Sequence, residues 1–318
     1  MVSQSLSRRE LLSRFGAFAV VGTGSQAATP AAEPGRRQVR TCLNTALLRG
    51  QRLPFRRLVE LAAETGYDAI EPWHDELKRA LAAGSRPAVL RRLVTDRGLK
   101  IPSIIAFPRW IVDDPRQRAK AVDEVKALLE LAAALGAEAI AAPPAGATRS
   151  DPIPLDVVAE RYARLVELAR PYGVRVQLEL WGFSANLSRL SELAYVLVQC
   201  GQPEACALLD VYHLYRGGTE LRSVVQLNVR RLSVFHVNDY PADPPRERLT
   251  DAHRTYPGDG CAPLRELFAM LYANGFDGYL SIELFRRDLW RQDPVVVART
   301  ALRKLRRVVE RSKQNPAS

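Results

Sequence analysis

Apolar positions recur along this chain at two different periods. Short runs rich in β-branched and aliphatic residues are separated by longer segments in which an apolar side chain recurs every three or four positions. The short runs predict strands buried on both faces, and the longer segments predict amphipathic helices. We predict eight strands, at residues 39–43, 67–71, 100–105, 138–142, 175–180, 205–210, 232–237 and 279–284.

The segment 115–135 shows how the intervening helices begin and end. Pro115 suits a first helical turn, Val125 and Leu128 belong to an apolar stripe, and Gly136 is placed to end the helix. Eight strand–helix units in roughly 280 residues match the size of a (β/α)8 barrel, so we predict a single-domain α/β TIM barrel. A doubly wound open sheet is the alternative, but no G-x-G-x-x-G motif follows the first strand.

The first 36 residues have the pattern of a targeting segment. Arg8 and Arg9 precede an apolar run at 15–24 that is too short to span a bilayer, and small residues follow at Ser25 and Ala27. This pattern resembles a twin-arginine export signal. An amphipathic helix with a basic end is the alternative, but the Gly, Ala, Thr and Pro residues that follow would break it.

The export signal predicts a division of the chain and a location. We expect residues 1–36 to be a signal peptide and linker, and residues 37–318 to be the barrel. The mature protein would be periplasmic or extracellular, with no stable membrane span after signal cleavage.

Composition narrows the classes of protein. With 47% hydrophobic and 25% charged residues, the 318-residue chain is an ordinary globular protein. The net charge of +11, from 46 basic and 35 acidic residues, suggests a nucleic-acid partner. However, the arginines are spread over every helical segment, with no basic stripe interleaved with aromatics, so we expect no nucleic-acid binding. The four cysteines lack C-x-x-C spacing and are interpreted as small buried hydrophobes.

Four consecutive predicted strands each carry one ionisable residue near their carboxyl end: Glu179, Asp210, His236 and Glu283. Active sites of TIM barrels lie at this end of the strands. A single such residue is most simply a paired or core side chain. Four at one sheet edge would bury uncompensated charge at a cost of several kcal/mol, which a bound cation removes. This oxygen-rich set suits one Mn²⁺ or Mg²⁺ best and also accommodates Co²⁺ or Zn²⁺.

Local motifs around these residues carry a family resemblance. Glu179 lies in Leu-Glu-Leu-Trp, Asp210 and His213 in Asp-Val-Tyr-His, His236 in Phe-His-Val-Asn-Asp, and Glu283 in Ser-Ile-Glu-Leu. Over about residues 39–309 the chain resembles the xylose isomerase-like superfamily of sugar isomerases and epimerases. The resemblance implies that Glu179, Asp210, His236 and Glu283 bind one divalent metal. It also implies that Glu179 and Glu283 exchange substrate protons, and that His213 contacts substrate oxygens.

The expected reaction is isomerisation or epimerisation of a free sugar or keto-sugar through an ene-diolate, with glutamates moving the proton. The same ligands would serve a lyase or dehydratase of the keto-glycoside eliminase or dehydroshikimate dehydratase type. A non-catalytic exported carbohydrate-binding barrel is the third alternative. An endonuclease with this fold would need more histidines than the four present. The expected partner is thus a small-molecule carbohydrate, and the sequence is compatible with a homo-oligomer.

Further candidates lie in loops on the same face. The loop 238–263 is long for a barrel, and by the resemblance Arg254 within it contacts substrate oxygens. Asp239 is expected to orient His236 or the neighbouring backbone.

Two strand ends supply candidate substrate contacts. Glu71 and Trp73 end the second predicted strand, and Trp181 follows the fifth. We expect Glu71 to contact substrate. Trp73, Trp110 and Trp181 either form an apolar wall around a sugar or pack in the core.

Overall fold

A computed structural model describes residues 39–314 of the protein. The predicted signal segment, residues 1–36, lies outside the described residues, so it and the domain boundary stay predictions. Within the described range, the strands are β1 (Arg40–Asn44), β2 (Ala69–Glu71), β3 (Ala139–Ala142), β4 (Arg175–Glu179), β5 (Cys206–Asp210), β6 (Val234–Val237) and β7 (Tyr279–Ile282). The helices are α1 (Phe55–Thr65), α2 (His74–Ala82), α3 (Pro87–Thr95), α4 (Pro115–Leu135), α5 (Leu155–Ala169), α6 (Leu190–Gln199), α7 (Val211–Arg216), α8 (Leu264–Ala273) and α9 (Pro294–Gln314).

All strands are parallel, in the order β2-β1-β7-β6-β5-β4-β3. The segment 100–105, predicted as the third strand, closes the sheet between β2 and β3. The amide of Ile70 donates to the carbonyl of Lys100 at 2.9 Å, and Ile104 donates to Ala139 at 3.0 Å. The (β/α)8 barrel prediction is thereby confirmed.

The third predicted strand is nevertheless wrong in one respect, because 100–105 makes only isolated bridges to its neighbours. Pro102 in its middle has no N–H to donate to a sheet ladder, which prevents a continuous strand there.

Helix α4 agrees with its predicted bounds and shows why it forms there. The Asp114 carboxylate accepts from the backbone N–H groups of Arg116 and Gln117, and Gly136 ends the helix at φ 74°, in the left-handed region. Val125 and Leu128 are buried beneath it. None of the described helices is long and apolar enough to cross a membrane.

The barrel interior contains buried polar side chains as well as apolar ones. The Gln177 side chain donates to the Ser103 hydroxyl at 3.1 Å, and Ser281 is fully buried in β7. Parallel strands present all their carboxyl ends to the same face. Asp210, the last residue of β5, and Glu283, directly after β7, therefore meet at that face.

Candidate active site

Three of the four predicted metal ligands converge. Asp210, His236 and Glu283 each offer one ligand atom, and these atoms lie within 4.8 Å of one another. All three residues are buried. Glu179, at the end of β4, lines a pocket together with Glu283 but lies outside this group of three. The structure therefore brings three predicted ligands together and places the fourth beside them.

His236 has one ring nitrogen held and one free. Its Nε2 lies 3.0 Å from Oε2 of Glu71, and its Nδ1 lies 3.5 Å from Oε2 of Glu283 and 4.0 Å from Oδ2 of Asp210, without a hydrogen bond. Burial by itself lowers the pKa of His236, but the carboxylates of Glu71 and Glu283 outweigh it and raise that pKa to about 10.

This arrangement fits a divalent cation. A neutral imidazole that donates from Nε2 to Glu71 presents the Nδ1 lone pair to the space beside two carboxylates. A metal bound there would take the place of the proton that His236 otherwise holds.

Arg254 connects the two carboxylates of this group. One terminal nitrogen donates to Oδ2 of Asp210 and to Oε2 of Glu283, each at 2.9 Å. The guanidinium lies over the ring of Tyr212 at 4.5 Å from its centroid, and the side chain is 1% exposed. Burial lowers the pKa of Arg254, but Asp210 and Asp251 outweigh it and raise that pKa above its ordinary value. Arg254 is therefore a permanent buried cation.

His213 is kept neutral by its surroundings. Burial and the Arg254 guanidinium lower its pKa well below the usual value. Its Nε2 lies 3.1 Å from the second terminal nitrogen of Arg254, which can only donate, so the ring proton is on Nδ1. That nitrogen has no hydrogen-bond partner among the described residues. The backbone N–H of His213 donates to Asp210 at 2.8 Å, which orients that carboxylate.

Glu179 has the environment of a group that holds and releases a proton. Its pKa is raised to about 8, mainly by burial; Glu283 and Asp210 also raise it, and His236 lowers it. Its side chain is 4% exposed and hydrogen bonds with Trp181. Without a metal, this carboxyl carries a proton at neutral pH.

A pocket of about 180 Å³ adjoins part of this site, and neither Asp210 nor His236 lines it. Its polar wall contains Glu179, His213, Arg254 and Glu283. Its aromatic lining consists of Trp73, Phe107, Trp181, Phe183 and Phe285. Three larger surface cavities near Gly218 contain none of the predicted site residues. One polar and one aromatic wall suit a ligand with hydroxyl groups and an apolar ring face.

The tryptophans divide between pocket and core. Trp73 packs edge-on against Phe107 at 4.9 Å between ring centroids, and Trp181 stacks on Phe183 at 5.6 Å. Trp110 instead is 2% exposed and donates to the carbonyl of Pro143. Two of the three tryptophans therefore line the pocket.

Glu71 does not occupy its predicted position at the substrate. It is 0% exposed, does not line the pocket, and lies behind His236 as seen from the metal group. The physical reason is that Asn44 and Ser281 donate to the Glu71 carboxylate and hold it against His236 inside the barrel.

Asp239 orients backbone and makes no contact with His236. Its carboxylate accepts from the backbone N–H groups of Tyr240, Gly258 and Ala262. It thereby fixes the long loop that carries Arg254, which was the second of the two roles expected for it.

Three neutral residues of the site were missed from the sequence. Asn44 donates to Glu71 and Glu283, Asn238 donates to Asp210, and Ser281 donates to Glu71. Asn44 closes the first apolar run, so a search for any polar residue at a strand end would have found it. Ser281 carries no such signal.

Comparison with known proteins agrees with this geometry. Residues 59–308 match the family described as Xylose isomerase-like TIM barrel. An inosose isomerase of Bacillus velezensis is 27% identical over 249 residues, which cover 76% of this chain and 88% of that protein. A fructoselysine 3-epimerase of Escherichia coli O157:H7 is 24% identical over 277 residues, which cover 80% and 94%.

Solved structures share the fold. The structure described as IolI protein with a binding zinc atom has a TM-score of 0.80 at 23% identity, covering 86% of this chain and 99% of that one. An L-ribulose 3-epimerase has a TM-score of 0.73 at 18% identity, covering 87% and 97%.

Proposed function

Because the chain belongs to the xylose isomerase-like TIM barrel family, we propose that it is a divalent-metal-dependent isomerase or epimerase of a free sugar or keto-sugar. What supports this function is the group of Asp210, His236 and Glu283. Glu283 of that group lines one partly aromatic pocket together with Glu179. The relatives described as inosose isomerase and fructoselysine 3-epimerase support this reaction class.

Asp210, His236 and Glu283 would hold the ion, with Glu179 completing the set. Three carboxylates and one imidazole favour Mn²⁺ or Mg²⁺ and also accept Co²⁺ or Zn²⁺. A bound cation would supply stabilisation of the negative charge that develops on substrate oxygen when the neighbouring carbon loses its proton.

The proton itself is moved by the glutamates. Glu179 is buried at the end of β4 and lines the pocket, so its carboxylate is placed for general acid–base transfer. Glu283 also lines the pocket, and one of its oxygens is held by Arg254. One glutamate takes the proton, and the other returns it to the opposite face or to the neighbouring carbon.

Three other side chains orient the substrate. His213 lines the pocket and would contact a substrate oxygen, with its ring held at Nε2 by Arg254. Trp73 and Trp181 would pack on apolar faces of the sugar and exclude water.

We also propose that the protein is exported to the periplasm or beyond, on the strength of Arg8, Arg9 and the apolar run that follows them. Export favours free sugars over sugar phosphates as substrates. Fractionation of cells expressing wild type and the Arg8→Lys, Arg9→Lys double variant tests this proposal. Equal retention of both proteins in the cytoplasm would contradict it.

Elemental analysis tests the metal centre. Wild-type protein, Glu283→Gln and His236→Ala are dialysed against Mn²⁺ or Zn²⁺, with Glu247→Gln as the control because that carboxylate is exposed on a loop. We expect about one metal per chain in wild type and control, and loss in the two site variants. Absence of metal from every protein would overturn the proposal.

The reaction class is tested by incubating metal-loaded protein with free and keto-sugars in D₂O, followed by NMR. Deuterium incorporation with retention of all hydroxyl groups supports the isomerase or epimerase. Loss of water or of an aglycone would instead identify a lyase. Metal binding without either change would favour the non-catalytic carbohydrate-binding barrel.

A further inference from the structure

Glu71 is a buried carboxylate that the proposed chemistry does not use. Its side chain is 0% exposed and contacts His236, and neither residue lines the pocket. No arginine or lysine is paired with it among the described ion pairs; its charged contact is with His236. Burying a carboxylate is costly without such a partner. Glu71 therefore acts through its contact with His236.

Glu71 decides which nitrogen of His236 faces the carboxylates. An ionised carboxylate can only accept hydrogen bonds, so the 3.0 Å contact places a proton on Nε2. The other nitrogen, Nδ1, is then directed toward Asp210 and Glu283. A histidine that ligates a metal commonly donates its second N–H to a carboxylate, which sets the tautomer and the ring orientation.

The Glu71 carboxylate is itself held in place. Its Oε2 accepts from Asn44 at 3.0 Å and from Ser281 at 2.7 Å, in addition to His236. The Asn44 amide is oriented in turn, because its oxygen accepts from Trp73 Nε1 at 3.1 Å and from the Ala46 backbone at 2.9 Å.

Asn44 also connects Glu71 with Glu283. The amide nitrogen that donates to Glu71 lies 3.3 Å from Oε1 of Glu283. One side chain therefore contacts both the residue behind His236 and a predicted metal ligand. Movement of the Glu71 carboxylate would disturb His236 directly and Glu283 through Asn44.

We infer that Glu71, held by Asn44 and Ser281, is a positioning residue that directs His236 Nδ1 at a bound divalent metal. The inference rests on the metal centre of the proposed function. It assigns Glu71 a role in metal affinity and coordination geometry, and none in contact with substrate.

Glu71→Gln tests this role with little change in side-chain volume. A neutral amide oxygen is a weaker acceptor than a carboxylate, and the amide N–H₂ would have no acceptor where Oε1 now lies unpartnered. The matched control is Glu76→Gln. Glu76 is also buried, but it accepts from the Thr45 hydroxyl and the Trp73 backbone and has no contact with His236.

Two readouts are independent of activity: the Zn²⁺ dissociation constant from competition with a chromophoric chelator, and the visible absorption spectrum of the Co²⁺-loaded protein. We expect Glu71→Gln to weaken Zn²⁺ binding about 10- to 100-fold and to alter the Co²⁺ spectrum. Glu76→Gln should bind as wild type does and keep its spectrum. Wild-type affinity and an unchanged spectrum in Glu71→Gln would overturn the inference while leaving the proposed metal centre intact.

Two further outcomes are a wild type that binds no metal and a Glu71→Gln variant that does not fold. If wild type binds neither ion, the metal centre of the proposed function fails and the inference falls with it. If Glu71→Gln does not fold, Ser281→Ala decides, because it removes one hydrogen bond to Glu71 and no charge. We expect weaker Zn²⁺ binding in that variant, and unchanged binding would overturn the inference.

Discussion

Charged residues are arranged in opposite ways on the outer helices and at the carboxyl face of the barrel. Outside, arginines pair with carboxylates in water: Arg57 and Glu64 are 2.9 Å apart, with side chains 37% and 50% exposed. At the strand ends, four carboxylates are buried: Glu71, Glu179, Asp210 and Glu283. The buried guanidinium of Arg254 pairs with two of them, Asp210 and Glu283. A chain with a net charge of +11 therefore has an excess of carboxylates at its centre.

The exposed charges on the helices serve solubility, whereas the buried carboxylates at the strand ends serve the proposed reaction. Exposed pairs are screened by water and contribute about 0–1 kcal/mol. Buried carboxylates are costly unless a cation or a proton compensates them. The overall charge therefore says little about function, whereas the local excess of carboxylates predicts a bound cation.

Removal of a central carboxylate should have the largest effect. Asp210→Asn eliminates one of the three converging ligands and leaves the Arg254 guanidinium with one buried carboxylate fewer. We expect loss of bound metal and a fall in proton-exchange rate of about 10³-fold, measured by elemental analysis and by deuterium incorporation. Retention of stoichiometric metal would contradict the assignment of Asp210 as a ligand.

Removal of the buried cation should destabilise the fold. Arg254→Met leaves oxygens of Asp210 and Glu283 unpaired, at a cost of about 3–5 kcal/mol in the metal-free protein. Because a divalent ion also compensates these carboxylates, we expect metal to restore part of the loss. Urea unfolding with and without Mn²⁺ measures both. An equal loss in the two conditions would mean that Arg254 acts through packing on Tyr212 instead.

The raised pKa of Glu179 predicts a pH-dependent stability. The pKa is about 8 in the folded protein and near 4.5 when unfolded, mainly because of burial. The protonated side chain favours the fold below the unfolded pKa, and this contribution is lost as pH rises through about 8. We expect the thermal midpoint of metal-free wild type to fall by several degrees between about pH 5 and about pH 9 relative to Glu179→Gln. Parallel pH profiles of the two proteins would contradict the assignment.

An exposed ion pair should matter least. Arg57→Gln removes the contacts of Arg57 with Glu60 and Glu64 on α1. We expect a change in unfolding free energy of less than about 1 kcal/mol and unchanged metal content, measured by urea unfolding and elemental analysis. A larger change would show that this exposed ion pair contributes more to the unfolding free energy than its exposure implies.

Regular elements were predictable because their signals are local. The alternation of periods located the strands, and Gly136 and Pro115 marked the ends of α4 as the structure has them. The barrel and the family follow from these elements and from the motifs at the strand ends, and both predictions are confirmed. The segment 100–105 departs from a regular strand because of a single proline. A hydropathy pattern does not show that this residue lacks an N–H.

Contacts within the site were less predictable than its members. Glu71 was identified as a residue of the correct strand end but was expected to face substrate. Its buried position against His236 depends on closure of the barrel, because β2 and β6 are not neighbours in the sheet. The neutral donors Asn44, Asn238 and Ser281 were missed because a neutral polar residue in an apolar run has no distinct signature.

The sequence by itself determined the strand–helix alternation, the family, and the ionisable residues that end neighbouring strands, because each of these is written in residues close together along the chain. Tertiary structure alone decided that Arg254 lies between Asp210 and Glu283, and that Glu71 contacts His236 across a separation of 165 residues. The physical reason is that closure of the barrel sets the register of distant strands, and register determines which buried donor meets which buried acceptor.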